Sequence, residues 1–266
     1  MTRAFSGVLR SVGAIALSRR MPSRRSLAAL AKLCGRRLER RWPFLPKAEA
    51  KDLNLGFDDL LALQYSRSRN FVALVVGAFD GVTNDPASEF LLSKSCQAIF
   101  VEPQPGPFGR MQARMGGNEN IVLLNAAIDR ISGVRTIYCI PPGIDGLPAW
   151  TEQLASFRKE HLLNHEARAP GLSRHIVELS VPTLSFDELL DRFGLKSLDV
   201  LQIDAEGMDA ELLGWFPFER IKPGLLHYET AHMTAGQNAS IRKRLQDLGY
   251  VVRTSDSPTD DMAILF

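Results

Sequence analysis

Cysteine is scarce in this chain, and what there is stands apart: Cys34, Cys96 and Cys139 form no C-x-x-C pair. That spacing excludes a disulfide framework and a cysteine zinc site, and predicts a reducing compartment, the cytoplasm. Long apolar runs are missing too. No stretch reaches the roughly 18 apolar residues of a membrane-spanning helix, and the leading candidate, Val12 to Leu17, is far too short and lacks a small-residue cleavage site after it. Aromatic residues are few, at 8%. Trp150, Trp215 and Phe157 read as core or rim packing rather than a base-stacking platform, so no nucleic-acid partner is predicted. Repeats and low-complexity tracts are absent as well.

Acids are nearly missing from the first 50 residues, which hold 12 Lys and Arg against Glu39 and Glu49. The remaining residues hold 20 basic and 28 acidic groups, so a formal net charge of +2 conceals a basic arm on a mildly acidic body. Within the arm, "RRSLAALAKLCGRRLERRW" sets Leu27, Leu30, Ala31 and Leu38 near one helical face among arginines. A basic amphipathic helix of this kind suits the surface of an anionic membrane or of an acidic partner. The same composition also fits a solvated, disordered leader or an organellar transit peptide.

From about residue 56 the pattern alternates between strand and helix. "FVALVV", "AIFVEP", "IVLLNAAI", "VRTIYCI", "LDVLQID" and "GLLHYE" read as strands, with "PASEFLLSK", "PFGRMQARM", "TLSFDELLDRFG", "MDAELLGWF" and "NASIRKRLQDLG" as helices. Pro86 is expected at a first helical position, and Ser185 with Glu188 as a capping box closed by Gly194. Residues 141 to 182 break the rhythm with prolines, a predicted helix "WTEQLASFRKEHLLNHEA" and a short strand "HIVELSV". The closing pair "YVVRT" and "DMAILF" predicts an antiparallel C-terminal edge. The alternation implies an α/β doubly wound, mostly parallel sheet. The predicted division is a basic arm over 1–55 and a domain over 56–266, interrupted at about 141–182.

In such a sheet, ligands lie beyond the carboxyl ends of the strands. Those positions hold Gly77, Ala78, Phe79, Asp80 and Gly81; then Glu102; then Asn125, Ala126 and Ala127; then Asp204, Ala205, Glu206 and Gly207. Glycines let the backbone approach a ligand, and an acid ending the next strand can accept both hydroxyls of a ribose, so a nucleoside is expected. Because G-x-G-x-x-G is not met, with Phe79 between Gly77 and Gly81, a pyrophosphate is disfavoured. Asp80, Asn84 and Asp85 also suit a plain turn and helix cap. His161 and His165 have the i, i+4 spacing of a zinc pair. Glu166 follows the second, so the motif is not H-E-x-x-H, no third ligand lies near in sequence, and no metal is predicted. His227, Tyr228, Glu229 and His232 cluster after a strand end, where they would touch substrate or form a structural network.

The blocks "VVGAFDGVTNDP", "VEPQPGPFGRM", "LLNAAI", "VPTLSFDELLDRFGLKSLDVLQIDAEGMDAELL" and "RIKPGLLHYETAH" resemble successive segments of the FkbM-type class I methyltransferases, from about residue 70 to the end. "LASFRKEHLLNH" is similar to a segment of one subgroup. The resemblance implies a Rossmann-like seven-stranded sheet and S-adenosylmethionine as cofactor. It implies that Gly77, Ala78 and Gly81 line its methionine and ribose side, Glu102 holds the ribose, and Ala126 and Ala127, next to Asn125, flank the adenine. Asp204 and Glu206 would stand at the reactive end. Val75 and Phe79 depart from the acid and the Asn common at those positions, which leaves Asp80 as the expected carboxylate for the methionine ammonium. Asp204 with Glu206 is the expected general base, with Glu229 and His232 as the other candidates. O-methylation of a glycan, a lipid-linked compound or another small molecule is the expected reaction. An NAD-type oxidoreductase or epimerase, disfavoured by the missing third glycine and the lack of Tyr-x-x-x-Lys, and a non-catalytic membrane-associated module are the alternatives.

Overall fold

The computed structural model describes residues 55–94 and 96–265. The chain divides into residues 1–55 and 56–266, and the predicted basic arm with its amphipathic helix lies outside the described residues.

The second unit is built on a seven-stranded sheet. Its strands are β1 (Val72–Val76), β2 (Gln97–Val101), β3 (Ile121–Leu124), β8 (Val200–Ile203), β9 (Leu225–Glu229), β10 (Val251–Thr254) and β11 (Asp260–Ile264), in the order β10-β11-β9-β8-β1-β2-β3. Every pairing from β3 across to β9 is parallel. The closing pair forms the antiparallel margin, with β11 running against both β9 and β10, so that β10 is outermost. All five residues of β1 and all four of β8 are buried, as continuous apolar runs in the middle of a two-sided parallel sheet should be. Leu74 and Val76 pack in a core with Leu189 and Leu190 of α5 (Phe186–Arg192), Leu212 and Leu213 of α6 (Asp209–Trp215) and Ile241 and Leu245 of α7 (Ala235–Asp247). Ala73 and Val75 point to the opposite face and are fully covered. Among the described residues, the helices before α5 are α1 (Phe57–Arg67), α2 (Ser88–Ser93), α3 (Pro105–Met115) and α4 (Lys159–Leu163).

Strands from the interrupted region join two that precede it in a second sheet, which the sequence pattern does not predict. Its strands are β4 (Ala127–Ile128), β5 (Gly133–Cys139), β6 (Ala155–Ser156) and β7 (Val177–Leu184), in the order β4-β7-β5-β6. The expected single strand "IVLLNAAI" divides at Asn125, with β3 in the main sheet and β4 in the second. The expected helix "WTEQLASFRKEHLLNHEA" is also divided. Residues Ala149–Gln153 form a 3₁₀ turn, Ala155–Ser156 pair with β5, and only Lys159–Leu163 is α-helical. Pairing with the end of β5 supplies the backbone partners that a continuous helix would have supplied. Ile140, Leu154, Leu162, Ala169 and Leu172 give this segment its own small core.

Two helix starts differ from expectation. Helix α2 begins two residues after Pro86, and the Asp85 carboxylate accepts from the N–H groups of Ala87 and Ser88 at its start. Helix α7 begins at Ala235, where Thr234 and Gln237 make a reciprocal capping box. Ser185 caps α5 as expected, and Gly194 ends it in the left-handed region.

Candidate active site

The connection from β1 leads to β2 and β3 on one side of the sheet, while β8 and β9 extend it on the other. The order therefore reverses between β1 and β8, which opens a crevice at their carboxyl ends. A cleft of about 820 Å³, including its open mouth, occupies that place. One wall is Gly77, Ala78, Phe79, Glu102, Asp204 and Glu206 from the main sheet's loops; the other is Ala127, Ile137, Ala155, Ser156 and Phe157 from the second sheet. The irregular segment thus forms a wall of the site.

Gly77 stands where the loops after β1 and β8 meet. A Cβ built on it would lie 1.6 Å from the carbonyl oxygen of Asp204, and its φ of +78° suits glycine alone. Three residues that are not glycine also hold positive φ among those described: Phe79 (48°), Asn84 (57°) and Glu206 (46°). All three line the cleft, and such conformations gather at functional sites.

Glu102, 3% exposed, accepts from the N–H of Phe79 at 2.8 Å and of Gln104 at 2.7 Å. Burial pushes its pKa up to about 8, against the lowering effect of those two donors. Its carboxylate is thus held rigidly at the end of β2 with acceptor positions to spare. Ala126 and Ala127 line the cleft with the expected small side chains. Asn125 does not line it. Its amide donates to the carbonyls of Glu102 and Pro103 and so braces the loop that carries the acid.

Asp80 and Gly81 depart from the expected roles. Asp80 is not among the residues lining the cleft. Its side chain is taken by the N–H groups of Val82 and Thr83, the Thr83 hydroxyl and Arg114. It is a turn cap, and the ammonium role assigned to it is not supported. Gly81 faces Met111 and Met115 of α3, where a Cβ would come within 2.2 Å of the Met115 methyl. Its missing side chain serves helix packing rather than the ligand. In their place Thr83, Asn84, Asp85 and Gln202 line the cleft, with the Gln202 amide donating to Asp85 at 3.0 Å.

Acids dominate the other end. Burial, and then the charge of Glu206, raises Asp204 to about 8; burial raises Glu206 to about 7 and Glu229 to about 10. Burial therefore outweighs the mutual repulsion that the sequence pattern suggests. Glu229 Oε2 is buried without a hydrogen-bond partner. Histidines from the second-sheet region and from the loop after β9 meet these acids, a convergence that the sequence conceals. His161 Nε2 lies 3.0 Å from Glu206 Oε2, and His232 Nε2 lies 3.8 Å from the same oxygen and 3.7 Å from Glu229 Oε1. The His165 ring is 5.2 Å from that of His161 and 5.6 Å from that of His232. Burial holds His161 and His232 down to about 4, which leaves both imidazoles neutral.

The cleft fits S-adenosylmethionine. A rigid acid faces the place of a ribose, small residues leave room for a base, and an end lined with carboxyl groups offers acceptors and, once ionised, charge for a sulfonium and an ammonium. A profile of the FkbM methyltransferase domain matches residues 76–252. Among solved structures, the chain resembles the FkbM methyltransferase of Methylobacillus flagellatus KT at 12% identity and a TM-score of 0.46, over 97% of this chain and 60% of that one. A methyltransferase of Geobacter sulfurreducens matches at 10% identity and 0.38, over 97% and 96%. Aeropyrum pernix fibrillarin, solved with natively bound S-adenosyl-L-methionine, matches at 10% and 0.35, over 73% and 65%. Comparison with curated protein sequences finds no match. The domain match spans most of the chain and coincides with the cleft just described, and this protein belongs to the FkbM-domain methyltransferases, with S-adenosylmethionine as its cofactor.

Proposed function

We propose that the protein methylates a hydroxyl oxygen of a small-molecule acceptor, a glycan or lipid-linked compound being the favoured class. When bound, S-adenosylmethionine supplies a methyl group that is already strongly electrophilic. The chain's own task is then to align the acceptor and remove its proton. A hydroxyl is a weak nucleophile until it meets a base, so the observation that carries this reading is Asp204. Its carboxylate lines the cleft at the end of β8 and has a pKa raised to about 8 by burial and by Glu206. Such a group is a stronger base than an ordinary carboxylate and works near neutral pH.

Residues at the other end hold rather than react. Glu102 would accept from ribose hydroxyls, with Gly77 and Ala78 letting the backbone approach and Ala126 and Ala127 flanking the base. Phe157 and Ile137 of the second-sheet wall pack with Ala127 and would close the cleft over the base.

The test supplies isotope-labelled methyl donor to glycan and lipid extracts and identifies the methylated atom by mass spectrometry and NMR. An O-methyl product is expected; an N- or C-methyl product would replace this reading. With that acceptor, Asp204→Asn is expected to lower turnover by roughly 10²-fold or more while cofactor affinity holds. If only cofactor affinity changes, the base is Glu229 or His232.

A further inference from the structure

Four side chains from three distant parts of the chain converge beside the cleft. His161 lies in α4 and His165 just after it; Glu206 follows β8, and His232 follows β9. One ligand atom from each can be chosen so that all four lie within 4.8 Å of one another. Among the described residues, we propose that His161, His165, His232 and Glu206 form a binding site for a divalent first-row transition-metal ion of the zinc or manganese kind.

The donor set supports that class. Three imidazoles and one carboxylate suit Zn²⁺, Mn²⁺ or Fe²⁺ and are poor ligands for Ca²⁺ or Mg²⁺, which prefer all-oxygen shells. Four donors at ~2.0–2.2 Å from a tetrahedral ion stand roughly 3.3 Å apart. The His161–Glu206 and His232–Glu206 separations, 3.0 and 3.8 Å, bracket that spacing. The ring centroids of His161 and His232 are only 4.4 Å apart, so modest side-chain rotations would bring the ring nitrogens to one point. Imidazoles bind metal in their neutral form.

Two further observations belong to the cluster itself. Glu206 holds a left-handed backbone, with φ of 46°, and this strained conformation sets its carboxylate against the histidines. Gly207 follows with no side chain, and a Cβ there would lie 2.8 Å from His161 Nδ1. The loop after β8 is therefore shaped around the His161 ring. Glu229, whose Oε1 lies 3.7 Å from His232 Nε2, has its Oε2 buried without a hydrogen-bond partner, and a dication beside it would stabilise its ionised form.

An ion here fastens α4 and the turn after it to the ends of β8 and β9. It also sets positive charge at the acceptor end, on the Glu206 wall of the cleft. The site stands without the O-methylation reading; the use of its charge toward an acceptor oxygen rests on that reading.

The test uses the full chain without a histidine tag, stripped with chelator and then dialysed against Zn²⁺ or Mn²⁺. About one ion per chain is expected by elemental mass spectrometry, with release of the ion on acidification as the ligands protonate. Co²⁺ is expected to give visible ligand-field absorption, and the thermal midpoint is expected to rise with metal, as binding to the native state requires. The double variant His161→Ala/His165→Ala should lose the ion, the absorption and the thermal rise. Should it not fold, Glu206→Gln, which keeps the shape of the side chain, should weaken metal binding at least tenfold. A wild-type chain that retains no ion, or variants that retain it at full stoichiometry, would overturn the site. None of these readings uses an acceptor, so they remain separate from the outcome of the methylation test.

Discussion

Glu102 shows how much one side chain can do at the end of a strand. Its carboxylate is buried, takes two backbone N–H donors, and thereby sets both the turn after β1 and the start of the loop into α3. Removing it strips two N–H groups of their partner and, on the proposed ribose role, takes from the cofactor an acceptor for its hydroxyls. Glu102→Ala is expected to weaken S-adenosylmethionine binding by about 1–3 kcal/mol, the range for lost charge-assisted hydrogen bonds. Calorimetry checks this, and an unchanged affinity would remove the ribose assignment. The neighbouring acid, Asp80, shows the limit of reading residues by type. It ends in a turn cap because the N–H groups of Val82 and Thr83 are within its own reach.

At the scale of elements, the loops after β8 and β9 carry the acids and His232 of the proposed reacting end, and helices follow them directly. Helix α7 follows the loop that holds His232, and its capping box joins Thr234 to Gln237. The Thr234 hydroxyl accepts from the Gln237 N–H at 3.2 Å, and the Gln237 side chain returns to the Thr234 N–H at 3.0 Å. Thr234→Ala is expected to destabilise the fold by about 0.5–2 kcal/mol in urea unfolding, the range for a lost helix cap. Because His232 is two residues away, the same variant is expected to weaken the metal site more than a cap change elsewhere, such as Ser185→Ala on α5. Equal metal affinity in the two variants would separate the cap from the site.

The whole molecule concentrates buried titratable groups in one place, and stability should follow. Glu102 has its pKa raised to about 8 in the folded state, and Asp204, Glu206, Asp209 and Glu229 are raised in the same sense, each by burial first, so the native chain binds more protons than the unfolded one above pH ~4.5. His161 and His232, lowered to about 4, act in the opposite sense, but only below their unfolded value of ~6.5. Between about pH 6.5 and 8 the carboxylates alone decide. The thermal midpoint of the free protein is expected to fall as pH rises through that window, and Glu102→Gln should flatten the slope. A midpoint that rises with pH would contradict these shifts.

The basic arm acts at the same scale, and we propose that it brings a cytoplasmic enzyme to an anionic membrane. Residues 56–266 are expected to fold and bind cofactor without it. Binding of the full chain to anionic vesicles should be reversed by high salt. A truncated chain that still sediments with vesicles would assign that binding to the catalytic domain.

The sequence by itself determined the main sheet and the place of the crevice. Both depend on local signals: buried apolar runs such as "VALVV" and "VLQI", and the glycines and acids that follow them. Gly77, Glu102 and Asp204 were legible because each sits directly after a strand, where topology alone assigns it to the ligand side. Only the tertiary structure decided the second sheet, since β4 and β6 are two residues long and owe their pairing to β7 and β5 rather than to any periodicity of their own. It also decided the histidine cluster. His161 and His165 are close in sequence, but Glu206 and His232 reach them only because strands β8 and β9 end side by side beneath the wall that carries α4. Convergence of this kind is set by packing between elements, and no spacing along the chain encodes it.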